Sequence, residues 1–182
     1  MLKLLAVLVV FTLTALAPSA HGQAAAAGTR AGASQVGINL SSGTTDYVTK
    51  RTVGIGAYGT WDLTGHLGVE GDIHLMQLNT PEDFIENSYL AGIRYFYPIH
   101  RYSPYLKVLA GIGTTKLDDR PFLHFAGTPG SYLALGLGGG VDVLLPHHLN
   151  ARADFEFQDW PGFKPNGLTP TVASVGMAYR FR

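Results

Sequence analysis

From residue 34 onward, apolar and polar side chains alternate with a period of two, and the runs are separated by clusters rich in Gly, Pro, Asn and Asp. Successive side chains of a strand point to opposite faces of a sheet, so this alternation predicts strands with two chemically distinct faces. Segment 149–159, LNARADFEFQD, shows it most plainly. Arg152, Asp154, Glu156 and Gln158 share one face, and Ala151, Ala153, Phe155 and Phe157 share the other. A helix would mix the two sets.

Eight such segments are predicted, over about residues 34–41, 51–61, 66–77, 87–97, 104–115, 131–145, 149–159 and 170–181. Each is near the roughly 9–11 residues that a tilted strand needs to cross a bilayer. The apolar face gathers Val36, Ile38 and Leu40 from the first segment, and Val53, Ile55, Ala57 and Trp61 from the second. The third to fifth add Val69, Ile73 and Leu75, then Tyr89, Ala91, Ile93, Tyr95 and Tyr97, then Leu106, Val108, Ala110 and Ile112. The sixth gives Leu133, Leu135, Leu137, Val141 and Val143, and the last gives Ala173, Val175, Met177, Tyr179 and Phe181.

The opposite face carries Glu70, Asp72, His74, Arg94, Lys107, Asp142, Arg152, Asp154, Glu156 and Arg180. No Lys, Arg, Asp or Glu falls on the apolar face. A charge facing midplane lipid costs about 2–4 kcal/mol, so this segregation is what lipid exposure imposes. The expected fold is all-β, an eight-stranded antiparallel up-and-down transmembrane β-barrel. Its charged face forms an interior network in which acids and bases pair, because a buried charge left alone is costly.

Aromatic positions mark two rims. Trp61, Tyr95, Tyr97, Tyr105, Tyr179 and Phe181 gather at one, with Tyr105 the member that departs from outward parity; Tyr89, Tyr132 and Phe157 gather at the other. Glycines at 54, 56, 68, 111, 113, 136 and 138–140 are expected to leave room for large inward side chains and to ease tight curvature. Long links at 42–50, 78–86, 116–130 and 160–169 alternate with short turns at 62–65, 98–101 and 146–148. Long and short connections on opposite ends, with both termini on the short side, are the topology of an outer-membrane barrel, the short side facing the periplasm.

Composition agrees. The chain holds 23 Gly, 9 Tyr and 9 Phe against 14% charged residues, a mixture unfavourable to helices and suited to strands. Its mean hydropathy of +0.13 is too low for a bundle of membrane helices. Zero formal net charge gives no reason to expect a nucleic-acid partner, and zero Cys excludes disulfides, thiolate metal sites and a lipidated cysteine. At the amino terminus, Lys3, the apolar run Leu4–Leu16, Pro18, and small residues at Ala20 and Gly22 read as a signal peptide over residues 1–22. Residues 23–33 read as a flexible mature start, and 34–182 as the barrel domain.

The stretches SYLAGIRYFYP, PYLKVLAGIGTT, SYLALGLGGGVDVLLP and ASVGMAYRF resemble the small outer-membrane β-barrel superfamily that includes OmpA-like and OmpX-like barrels. The resemblance spans about residues 34–182. It implies the outer membrane of a Gram-negative-type bacterium, with outer-membrane lipids and lipopolysaccharide as surroundings. It also implies an assembly signal read by the outer-membrane assembly machinery, to which Tyr179 and Phe181 correspond, although Arg182 follows Phe181 here.

The leading functional reading is a structural or surface-binding barrel with a side-chain-filled interior and extracellular loops that take a ligand; no catalytic, cofactor or metal site is assigned. Its rivals are a narrow porin-like conductance, a lipid-modifying outer-membrane enzyme, and a soluble lipocalin-like carrier with the faces inverted. His74, beside Glu70 and Asp72, reads as a member of the internal hydrogen-bond network. His147 and His148 read as a solvated turn, since an adjacent pair does not fix a four-ligand metal site. His66, His100 and His124 have no clear catalytic partner, and Gly138–Gly140 lacks the helix and Lys of a phosphate loop.

Overall fold

The computed structural model describes residues 32–45, 48–79, 84–117, 130–164 and 166–181. The expected signal peptide, most of the stretch 23–33, and His124 lie outside them. The chain forms β1 (Ser34–Thr45), β2 (Val48–Asp62), β3 (Leu67–Asn79), β4 (Phe84–Phe96), β5 (Tyr102–Leu117), β6 (Gly130–Leu144), β7 (Leu149–Asp159) and β8 (Thr171–Phe181). Every neighbour is antiparallel, and β1 pairs with both β2 and β8, so the sheet closes into a barrel without a free edge.

The alternation seen in the sequence sets which face is outside. Ile38 on β1, Leu106 on β5, Leu137 on β6 and Val175 on β8 are exposed on the outer wall, while every second residue between them points inward. Such a continuous apolar exterior would aggregate in water and is stable against lipid. Trp61, Tyr95, Tyr97, Tyr102, Tyr179 and Phe181 are exposed near the short-turn end. Two members of the expected girdles face inward instead. Tyr105 is buried and bonds to Asp154, and Tyr132 packs edge-on to Phe163 with ring centroids 5.2 Å apart. Both follow from strand parity: Tyr105 is in step with Lys107, and Tyr132 with Ala134.

Two details of the expected topology are corrected. The link expected over 42–50 is mostly strand, with Ser42 opposite Val53, Gly43 opposite Thr52, and only residues 46–47 between β1 and β2. Polar composition indicates contact with water, which does not prevent a backbone ladder from continuing past the bilayer. Gly139, expected to make room inside, belongs to the outer face, level with Leu106 and Phe155. Its neighbour Gly138 does face inward: a Cβ there would stand 2.9 Å from Cε of Lys107, so the missing side chain is the space that the lysine occupies.

The short turns carry strain. His100, His147 and His148 all have positive φ (55°, 59° and 62°), a region unfavourable to residues with a Cβ.

Candidate functional site

The polar core of the molecule is the barrel lumen. Strand parity aims one residue in two inward from all eight strands, and across so narrow a barrel side chains from opposite walls meet. At the short-turn end, Asn150 donates to Gln35 and Gln35 donates to Asp142 Oδ2 at 3.0 Å. Asp142 then takes two guanidinium groups. Arg152 reaches it in a two-pronged contact, Nε to Oδ1 at 2.8 Å and Nη2 to Oδ2 at 3.2 Å, and Arg94 Nη2 donates to Oδ2 at 2.9 Å. Planar forks of this kind fit carboxylates in a way an ammonium group cannot. Glu70 completes the layer, 3.2 Å from Arg94 Nη1 and 3.1 Å from Arg152 Nη1.

Nearer the loop end, Lys107 Nζ stands among four carboxylates: Asp72 at 2.5 Å, Glu156 at 2.9 Å, Asp154 at 3.0 Å and Glu70 at 3.3 Å. An ammonium is a compact charge that can serve several anions at once. Tyr105 Oη donates to the other oxygen of Asp154 at 2.5 Å. Above this layer, Ser41 donates to Asn39 Oδ1 at 3.1 Å and lies 3.3 Å from His74 Nδ1, while His74 Nε2 is 4.0 Å from Glu156 Oε1. All of these side chains are buried.

The residues expected to form the interior network thus lie together, with one difference. Arg180 is only half-buried, level with Gln35 near the end of β8. Three features went unread in the sequence. Tyr58 and Phe96 are inward platforms for guanidinium groups: Arg152 lies 3.9 Å from the Tyr58 ring centroid and Arg94 lies 5.2 Å from that of Phe96. Tyr105 serves both arginines, at 4.6 and 4.8 Å. Parity alone would have found them, since Tyr58 is in step with Thr60, and Phe96 with Arg94.

The third feature is an apolar plug. Trp160, Phe163 and Leu168, from the β7–β8 connection, fold inward over Leu90, Leu109 and Ala134 and are almost fully buried. A backbone bridge between Trp160 and Leu168 pins the connection, and the indole N–H donates to Gln158 Oε1 at 2.9 Å. The segment read as an outer loop is therefore partly a stopper.

Ser41, His74 and Glu156 have the residue types of a hydrolase triad, and His74 Nε2 and Glu156 Oε1 stand 4.0 Å apart, beyond hydrogen-bond distance. Ser41 donates to Asn39 Oδ1, and the direction of its contact with His74 Nδ1 follows the imidazole tautomer. His147 and His148 sit in the β6–β7 turn, with His148 against Tyr179, and His66 stacks on Tyr97 at 5.4 Å.

A closed antiparallel barrel with an apolar outer wall, aromatic rims and an ion-paired lumen defines a small integral outer-membrane barrel. The chain belongs to the outer membrane protein beta-barrel domain family, whose model matches residues 4–181. Its fold is similar to that of Neisserial surface protein A, with 14% identity over 85% of this chain and 99% of that one, and a TM-score of 0.61. It is also similar to OprG of Pseudomonas aeruginosa (14% identity, 84% and 97% covered, TM-score 0.59). The attachment invasion locus protein Ail of Yersinia pestis, solved with the heparin analogue sucrose octasulfate, is a third (21%, 83% and 99%, TM-score 0.55). No curated protein sequence matches. The protein resides in the outer membrane of a Gram-negative-type bacterium.

Proposed function

We propose that the protein is a non-enzymatic envelope barrel with a sealed interior, presenting a ligand-binding surface at its loop end. The observation that carries this reading is the filled lumen, in which Glu70, Asp72, Asp142, Asp154 and Glu156 are buried against Arg94, Lys107 and Arg152 beneath the Trp160 plug. A closed ring of eight strands encloses about the volume that side chains fill, so the charges act as cross-braces between walls and not as the lining of a water path. The apolar outer wall meets outer-membrane lipid, and lipopolysaccharide surrounds the loop end. The last strand, with Tyr179 edge-on to Phe181, carries the signal for the assembly machinery. That Ail, a barrel of similar fold, was solved in complex with the heparin analogue sucrose octasulfate supports a search for an extracellular ligand of this barrel.

Liposome swelling and single-channel recording on the purified barrel test the sealed interior. The expected result is no solute flux and no unitary conductance. A stable conductance that disappears on substitution of lumen charges would replace this reading with that of a narrow pore.

A further inference from the structure

We infer that the lumen holds a divalent transition-metal site, formed by Asp72 and His74 on β3 and Glu156 on the opposite wall, β7. One ligand atom from each of these buried residues lies within 4.8 Å of the others. Two independent observations ask for a cation there. The first is charge. Among the described residues of the ion-paired cluster five carboxylates, Glu70, Asp72, Asp142, Asp154 and Glu156, face three cations, Arg94, Lys107 and Arg152, so with every carboxylate ionised the buried space carries two excess negative charges. Burial of unmatched charge is unfavourable, and one divalent ion removes the whole excess.

The second is the direction of the hydrogen bonds around His74. With Ser41 donating to Asn39, the tautomer of His74 that completes its contact with Ser41 carries the ring hydrogen on Nδ1. Nε2 is then a bare lone pair. It is buried, has no hydrogen-bond partner, and faces Glu156 Oε1, a second acceptor, at 4.0 Å. Two acceptors facing each other with no hydrogen between them repel, and an ion between them turns the contact attractive.

The surroundings are those of a metal ligand set. A ligating histidine nearly always donates its other ring nitrogen to a fixed acceptor, the place that Ser41 Oγ takes 3.3 Å from His74 Nδ1. Glu156 is likewise oriented: Gln158 Nε2 donates to its Oε1 at 2.7 Å, and Lys107 holds its Oε2. Two ligands about 2.1 Å from one tetrahedral ion stand about 3.4 Å apart, so the His74 imidazole and Glu156 carboxylate, at 4.0 Å, need to approach by less than an ångström, and no pair of the three, all within 4.8 Å, by more than about 1.4 Å. One imidazole with two carboxylates suits Zn²⁺ and its neighbours better than Mg²⁺ or Ca²⁺, which prefer oxygen alone. A cleft at the loop end, lined by Glu86, Ser88, Gln158 and Trp160, has His74 on its wall. The bound ion would tie opposite walls of the barrel together.

The test uses the full mature barrel, purified in detergent, stripped with chelator and titrated with Zn²⁺ by calorimetry. One ion per barrel is expected, with affinity at least tenfold weaker in Ser41→Ala and binding abolished in His74→Gln and Glu156→Gln. Binding should be unchanged when His147 and His148 are both replaced by Ala. Heat-modifiable gel migration checks that each variant is a closed barrel. Should the lumen variants fail to fold, X-ray absorption at the zinc edge of the unaltered protein decides, because the lumen set supplies a single imidazole. No uptake of Zn²⁺, uptake that survives His74→Gln but not loss of the His147–His148 pair, or a shell of two or more imidazoles would each overturn the site.

Discussion

The indole of Trp160 occupies the space in which a Cβ on Gly113 would stand, so the inward wall of β5 is notched to receive a residue from the β7–β8 connection. The fit makes a strand glycine and a loop tryptophan one unit. Replacing Gly113 with Leu should expel the indole from the lumen. The chain has two tryptophans, and Trp61 faces outward, so a Trp61→Phe background leaves Trp160 as a single fluorescent reporter. The expected outcome for Gly113→Leu is red-shifted emission and ready quenching by acrylamide; an unchanged spectrum would mean that the plug does not depend on the notch. Trp160→Ala should cost about 3–5 kcal/mol of unfolding free energy, the range for truncating a buried aromatic side chain.

Lys107 is the hub of the loop-side charge layer, in contact with four carboxylates. Lys107→Met keeps much of the volume and removes the charge. Breaking a buried pair from one side costs about 3–5 kcal/mol because the partner remains buried and unmatched. Urea unfolding of the barrel in detergent should show a loss of at least that size. Adding Asp72→Asn should restore part of it, since one fewer carboxylate then needs a cation. If the double variant were as unstable as the sum of the two single variants, the layer would not act through charge.

The fold was legible because the charged residues of the lumen network are flanked by outward residues without charge, as in Ala153-Asp154-Phe155-Glu156-Phe157. A one-residue slip would put those charges in lipid, so the pattern leaves one register. The loops were less legible. Residues 42–45 and 48–50 read as a link because their polarity resembles that of a loop, yet they extend the β1–β2 ladder beyond the apolar band. The lumen could be read as a set of residues but not as an arrangement. Nothing in the local sequence shows that β3 and β7 stand on opposite walls, and so His74 could not be paired with Glu156 in advance. Trp160 continues the inward parity of Glu156 and Gln158, but it was hidden because it opens a segment whose Gly and Pro content reads as a loop.

Leu137 lies midway along β6 and is exposed on the outer wall, its register partners on the neighbouring tilted strands being Val108 and Phe157. An Arg at this height faces the middle of the bilayer, and Leu137→Arg should cost about 2–4 kcal/mol. Val36, opposite Gly59 and Tyr179 near the short-turn rim, provides the comparison, and Val36→Arg should cost no more than about 1 kcal/mol. Reversible unfolding in lipid vesicles measures both. Equal costs would mean that the apolar wall is not graded by depth, contrary to the behaviour of a membrane-spanning surface.

Tyr58 presents its ring face to Arg152 at 3.9 Å, and Gly37, its partner on β1, makes room for it: a Cβ on that glycine would stand 2.6 Å from the phenol carbon Cζ. The ring and the hydroxyl make opposite contributions. The face attracts a guanidinium that has lost its water, worth about 2 kcal/mol in a desolvated setting. The hydroxyl is buried without a hydrogen-bond partner, which costs about 1–3 kcal/mol. Tyr58→Phe keeps the face and removes the unsatisfied group, so it should leave the barrel as stable as before or about 1 kcal/mol more stable. Tyr58→Leu removes both and also loses the flat surface under Arg152, so it should fall below Tyr58→Phe by about 2 kcal/mol. Urea unfolding of the two variants in the same detergent gives the comparison. If Tyr58→Phe were the less stable of the pair, the hydroxyl, not the aromatic face, would be what holds Arg152 in place.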